Sequence, residues 1–395
     1  MKIHATEPAL RQADHWYHDD TASSRSMAPP TGLGLPPLTG PTIQRKPETM
    51  GPLSIPGMEA EEDTGLNPRK MAAAIAFYEA NSARFTHNNI RDIQAELDLP
   101  QTAQMNEATI RAIADFQRSK RLRVDGQLDY KSLRALFPTG LARDENVQAF
   151  SDAYLELDLP PTATRVQKAQ AILRLVNDQL QSIGVPRTSP ELSDDIRSLG
   201  KFDSTTWTIK IHRGQLLSGP FGQREQKKLA ATIYHEARHA EQYFNIARRM
   251  SAQRNDADNI AERMGFPIEV ARAAANNPMH RSAEALVTER FYESISGSES
   301  AATQAIYERV ENAAEEVDRT YAAAQRLANM NTSSSSEKRE ADQALEAAKD
   351  RHKEAMNVYK RLPMEHDAFK TEEAFTADLP KARARKKRRD REARR

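Results

Sequence analysis

The sequence predicts a mainly α protein with a small β element, an α+β fold. Three observations carry that reading. Long stretches free of Pro and Gly repeat apolar residues at spacings of three and four, the period of a helix face. Only one segment, TTWTIKIHRG, alternates with period two: Trp207, Ile209 and Ile211 against Thr206, Thr208 and Lys210. Nine of the 21 prolines fall in residues 1–65, which leaves the patterned region to start near Asn67.

The elements follow in order. Residues 1–65 include MAPPTGLGLPPLTGP; proline removes backbone donors and fixes φ, so this stretch reads as a disordered leader. A helical unit spans 70–140 and ends in the loop PTGLARDEN. The region 145–378 contains the strand at 205–212 and a motif helix over 225–248. A long helical hairpin occupies 302–362. Its first arm carries Ile306, Val310, Ala313, Val317, Tyr321, Ala324 and Leu327, and its second carries Leu345, Ala348, His352, Ala355 and Tyr359. The Ser-rich NTSSSSEK forms its tip. Residues 379–395 are a basic tail.

Composition narrows the chemistry. The 395 residues include no cysteine, which excludes a disulfide scaffold, a Cys-ligated zinc ribbon, an iron–sulfur cluster and a thiol nucleophile. Any metal must therefore be held by imidazole and carboxylate. Formal net charge is +1, but the last 15 residues hold ten basic and two acidic groups, so the other 380 carry a net −7. No window holds enough consecutive apolar residues to span a membrane. The polar start, MKIHATEPALRQADHWYHDD, has no apolar core of a secretory signal, so synthesis in the cytoplasm without such a signal is expected.

Residues 225–248, EQKKLAATIYHEARHAEQYFNIAR, form a helix with an apolar stripe of Leu229, Ile233, Ala240, Phe244 and Ala247. Inside it lies His235-Glu236-Ala237-Arg238-His239. Histidines at i and i+4 stand one above the other on a helix face and can share one ion. Glu236, one residue on, points to the neighbouring side, where it can reach a water on the metal without ligating it. That arrangement suits Zn²⁺, which brings the pKa of its water to about 7 while the glutamate takes the proton.

These residues resemble the HExxH zinc metallopeptidases of the gluzincin kind. More narrowly, YHEARHAEQYF preceded by GKFDSTTWTIKI resembles the metallopeptidase-like domains attached to bacterial secreted and contractile-injection-system toxins. The resemblance covers about residues 160–375. It implies a zincin-like fold in which an edge strand lines the cleft, and hydrolysis of a protein or peptide substrate. It also implies a third ligand from a later helix, often in the pattern Pro-x-Glu-x-x-Ala. Pro363-Met364-Glu365-His366-Asp367-Ala368 matches, with proline opening a helix and Glu365 in its first turn. Glu284 in HRSAEALVTERFYES is the competing ligand, with His280 and Glu289 behind it. Asp367 and Glu241 are candidates to fix a histidine tautomer, and Tyr292 or His366 to stabilise an oxyanion.

Residues 85–138 resemble a peptidoglycan-binding-like three-helix domain. The residues that carry this are Ile93-Gln94, Leu97, Thr109, Ile113, Phe116-Gln117, Leu122, Val124-Asp125-Gly126, Leu133 and Leu136. Where that family has a glycine and an acidic residue before the Thr helix, this chain has Gln104-Met105-Asn106. Peptidoglycan is the ligand the resemblance implies, beside a purely structural or docking role. PTIQRKP in the leader resembles short elements that precede injection-system cargo, which implies loading onto a tube or sheath and delivery outside the cell or into a target cell. The basic tail has no interleaved aromatic and adjoins no nucleic-acid fold, so it is expected to be solvated, with no specific nucleic-acid partner. The sequence therefore leaves three functions open: a zinc metallopeptidase, a non-catalytic binding or cargo protein with a structural zinc site, and a peptidoglycan amidase.

Overall fold

The computed structural model describes residues 66–395 apart from 158, 159, 161, 219, 220, 280, 281 and 331–333. The leader, with PTIQRKP, lies outside the described residues, as does His280. The described chain is mostly helical with one small sheet, as the periodicities predict. No described helix is long and apolar enough to cross a membrane.

Four helices open it: α1 (Pro68–Ala80), α2 (His87–Glu96), α3 (Glu107–Ser119) and α4 (Tyr130–Leu136). Asn67, Thr86, Asn106 and Asp129 cap them, each side-chain oxygen accepting from a backbone N–H one turn on. The segment that resembles a three-helix domain supplies α2 to α4. It proves to be built twice over, with a period of 23 residues. The Gln94 carboxamide donates to Thr102 Oγ1, Gln104 O and Thr109 Oγ1, at 2.9, 2.9 and 3.0 Å. Gln117 donates at the same offsets to Asp125 Oδ1, Gln127 O and Ser132 Oγ. Left-handed backbone recurs with that period, at Asp98 and Arg121 and again at Ala103 and Gly126. A Cβ on Gly126 would come within 2.7 Å of Ile110 Cγ2, so there only glycine fits.

After a short 3₁₀ turn (Gly140–Ala142) come α5 (Asp144–Leu155) and α6 (Arg165–Ser182). The sheet has three strands rather than one: β1 (Ser189–Ser193), β2 (Gly200–Asp203) and β3 (Thr208–His212), in the order β1-β3-β2. β1 pairs parallel to β3 with Ser189 opposite Thr208, and β2 pairs antiparallel with Gly200 opposite Ile211. The strand expected to line a cleft from the edge is thus the middle one, and it starts at 208 rather than 205. Trp207 sits at φ 56° in the turn before it. Its buried ring meets Phe202 and Phe266 edge-on, and its Nε1 donates to Pro186 O. Periodicity could not reveal SPELS and GKFD, because five and four residues hold too little alternation; pairing with β3 makes them strands. Pro190 is tolerated because β1 is an edge.

A short helix, α7 (Arg213–Leu217), leads to the 30-residue motif helix α8 (Gln223–Ala252). Leu229, Ile233, Ala240, Phe244 and Ala247 are all buried along it, as the stripe requires. Helices α9 (Ala257–Met264), α10 (Ile268–Ala275) and α11 (Ala283–Ile295) wrap it. One contiguous core runs from Met71 and Ile93 through Ile172, Ile209 and Tyr234 to Phe291 and Phe375. The helices of 68–136 therefore share a core with the motif helix.

The hairpin follows as α12 (Ser300–Asn329) and α13 (Ser335–Tyr359). It has two apolar clusters of its own, around Val310, Met356 and Tyr359 and around Val317, Leu345 and Ala348. Tyr321, expected on the packed stripe, is 44% exposed.

The final helix, α14 (Pro363–Ala393), runs on into the basic tail, which is helical but exposed over 387–395. Arg385 binds Asp152 and Asp378, and Arg389 binds Asp152 and Glu156, so acidic residues of α5 hold these turns against the body.

Candidate metal centre

One helix supplies two imidazoles and another a carboxylate. His235 and His239, one turn apart on α8, bring their Nε2 atoms to 3.2 Å of each other. Pro363 stands at the first position of α14, and Glu365 follows in its first turn. Its Oε2 lies 3.5 Å from His239 Nε2 and 3.9 Å from His235 Nε2. All three side chains are buried, and among the described residues they form the one cluster of this kind. Bonds of about 2.0–2.1 Å in a tetrahedral site put neighbouring ligand atoms about 3.3 Å apart, close to these separations. Glu365 Oε2 is buried and makes no well-directed hydrogen bond, and against its burial the imidazoles of His239 and His235 hold the carboxyl below its ordinary pKa, so it stands as the carboxylate a metal needs. The residues fit a metal ion held by two histidines and one carboxylate, with the next coordination position left for a non-protein ligand.

The competing ligands lie elsewhere. Glu284 pairs with Arg143 at 2.7 Å, and Glu289 with Arg249 at 3.0 Å.

A second layer of side chains holds the three ligands. His239 Nδ1 faces Gln242 Oε1 at 2.8 Å. The Gln242 amide donates to Asp367 Oδ2 at 2.7 Å and to Met364 O at 2.9 Å, tying α8 to the first turn of α14. Asp367 is gripped by Arg238 and by Arg134, each at 2.5 Å. It is fully buried rather than solvated, and it reaches the histidine only through Gln242. Glu241 touches neither histidine. It accepts from Leu141 N at 2.8 Å and pairs with Arg238, anchoring the 3₁₀ turn. His235 Nδ1 lies 3.2 Å from Glu372 Oε2. The role expected of Asp367 and Glu241 is thus filled by Gln242 and Glu372. Both were within reach of spacing arguments: Gln242 is three residues past His239, and Glu372 is two helical turns past Glu365.

Glu236 accepts a hydrogen bond from Phe202 N at 2.7 Å, which fixes it against edge strand β2. Burial pushes its carboxyl pKa up, with His235 and His239 pulling the other way. Burial disfavours the charged form of His235, but the bond to Glu372 and the charges of Glu236, Glu372 and Glu365 outweigh it and raise the imidazole to about 10. Asp367 moves oppositely: against its burial, Arg238 and Arg134 hold it down at about 2.

Neither residue expected to stabilise an oxyanion meets the cluster. The Tyr292 hydroxyl accepts from Arg263 at 3.0 Å, and its ring lies under Arg249. His366 turns its ring edge-on to Tyr130 of α4, and burial lowers its pKa to about 4. Two hydroxyls of the hairpin reach the cluster: Tyr307 donates to Glu365 Oε1 at 3.3 Å, and Tyr359 also bonds the Glu365 carboxylate. Nothing in a lone sequence pairs residues 307 and 365, because the contact depends on how the hairpin folds back.

Comparison with protein-family models, curated proteins and solved structures gave no significant match to this chain. The function therefore rests on the geometry.

Proposed function

We propose that the protein is a zinc-dependent hydrolase of peptide bonds, with His235, His239 and Glu365 as the metal ligands and Glu236 as the general base. The observation that carries the reading is the convergence of His235 Nε2, His239 Nε2 and Glu365 Oε2 within 3.9 Å, beside a buried glutamate that ligates nothing in the cluster. Zinc held there supplies Lewis acidity, which polarises a carbonyl and acidifies a water. Glu236 accepts the proton of the attacking water and returns it to the leaving amine; its raised pKa suits both halves of that task near neutral pH. Phe202 N keeps the carboxylate aimed during the transfer. Gln242 and Glu372 hold the two imidazoles in the tautomer that leaves Nε2 for the metal.

The resemblance to injection-system toxins supports delivery of this hydrolase as an effector, and the resemblance of 85–138 to a peptidoglycan-binding-like domain, which forms α2 to α4, supports a cell-wall substrate. If peptidoglycan is the substrate, the same site acts as an amidase on its peptide cross-links. Digestion of isolated cell-wall sacculi, set against cleavage of an unfolded protein, separates the two substrates.

A specific observation favours a second reading, a structural zinc site. The ligands are 1–5% exposed, and Tyr307 of the hairpin closes over Glu365. Glu236→Gln decides between them. For a hydrolase it abolishes turnover and leaves about one zinc per chain; for a structural site the wild-type protein binds zinc and cleaves neither substrate.

A further inference from the structure

His235, His239 and Glu365 are all buried, so a molecule from solvent reaches them only when something above them moves. The hairpin is what lies there. Tyr307 of α12 donates to Glu365 Oε1 at 3.3 Å, and Tyr359 of α13 bonds the same carboxylate. Phe369 of α14 stands edge-on to His235, with ring centroids 4.7 Å apart, and packs under the hairpin's cluster of Val310, Met356 and Tyr359. Lys360, just past the end of α13, brings its Nζ to 4.6 Å from the Phe369 ring.

The base of the hairpin can move as a unit. Its two apolar clusters are its own, separate from the core that α8 and α14 share with the N-terminal helices. Two short joints connect it to the body, 296–299 before α12 and 360–362 after α13. A few residues at the ends of elements are enough to act as hinges. The links that hold it down include two ion pairs. Arg197, in the loop between β1 and β2, faces Glu315 and Asp318 of α12 at 3.7 Å each. All three side chains are partly exposed, and pairs of that kind contribute little. Opening would break these pairs and the two hydroxyl contacts, which water can replace, and would part the hairpin from Phe369, while its own clusters stay intact.

We infer that the hairpin is a lid on the metal centre. Docked as it is here, it shuts the cluster off; swung about its two joints, it admits metal and substrate. The inference rests on reading His235, His239 and Glu365 as metal ligands, and it does not require that the site hydrolyse peptides.

The test uses the full-length chain. Because the sequence has no cysteine, Arg197→Cys with Glu315→Cys supplies the only thiols; a short bis-methanethiosulfonate joins them and dithiothreitol parts them again. Joining them is expected to slow withdrawal of bound zinc by a chelator at least about tenfold, and reduction to restore the rate. Arg197→Glu, which sets like charges against Glu315 and Asp318, does the reverse. Zinc then enters and leaves at least about threefold faster with its affinity unchanged, because a gate speeds both directions alike. Hydroxyl-radical footprinting of Tyr307, Tyr359 and Phe369 without zinc reads opening independently of the metal. Oxidation rises in Arg197→Glu and falls in the joined pair. Zinc exchange and footprints that ignore both changes, in chains whose melting temperatures show them folded, overturn the lid. A chain that takes up no zinc refutes the metal site, and the footprints then decide on the lid alone. A working lid on a protein that cleaves neither unfolded protein nor sacculi leaves the lid standing and removes the hydrolase.

Discussion

Arg238 and Asp367 form a buried ion pair at 2.5 Å that locks together the two helices bearing the candidate metal ligands. Arg238 is one residue before His239 on α8, and Asp367 two residues after Glu365 on α14. Arg134 of α4 completes the grip on Asp367 from the N-terminal helices. Among the described residues, removing Asp367 leaves two guanidinium groups without their shared carboxylate, Arg134 with no other ion pair and Arg238 with Glu241 alone. Asp367→Asn should therefore cost about 3–5 kcal/mol of stability, read from urea denaturation of the wild type and the variant. A loss within experimental error would show that the pair does not lock the helices.

The same carboxyl sets an acid limit. It ionises at about 2 in the folded chain, against an ordinary 3.8. The native state thus gains about 2 kcal/mol that is fully present above pH 4 and disappears as the pH falls toward 2. Denaturation midpoints between pH 5 and pH 2 should drop more steeply for the wild type than for Asp367→Asn.

Zinc bound by His235, His239 and Glu365 would compete with protons for the cluster. His235, raised to about 10, holds a proton at neutral pH when no metal is bound, and a ligating imidazole must give it up. Apparent zinc affinity should therefore increase from pH 6 to pH 8, with proton release detectable as a binding heat that depends on the buffer's ionisation enthalpy. Affinity that is flat across this range would mean that the imidazoles are already neutral.

Gln242 and Glu372 should matter nearly as much as the ligands they hold. Gln242→Leu and Glu372→Ala should each weaken zinc binding by about 10–100-fold, measured by competition with a chromogenic chelator. Glu284→Ala, by contrast, should leave zinc affinity unchanged, because that residue is engaged with Arg143.

The 23-residue repeat makes a paired prediction. Gly126→Ala forces a Cβ against Ile110 at φ +71° and should destabilise the protein by more than about 1 kcal/mol. Ala103→Gly, at the equivalent left-handed position, relieves backbone strain and should be neutral or stabilising. Melting temperatures of the two variants, moving apart, are the measurement.

Much of this protein is written in short-range pattern. The motif helix, the hairpin arms and the helix caps follow from residues within one or two turns of each other, and so does the pairing of His235 with His239. The absence of cysteine by itself confines a metal to histidine and carboxylate. Contacts between distant segments follow a different logic. Glu365 and Glu284 both stand in the first turn of a helix, and only the packing of α14 on α8 brings Glu365 to the imidazoles and leaves Glu284 beside Arg143. β1 and β2 are too short and polar to announce themselves and exist because β3 supplies hydrogen bonds on both sides. The basic C-terminal run is exposed over 387–395, as a solvated tail should be, but it is helical, and its first turns are held because Asp152 and Glu156 lie opposite them. Local sequence determined which residues can do the chemistry. Tertiary packing decided which of them meet, because a carboxylate becomes a ligand only where folding across more than a hundred residues places its oxygen within bonding range.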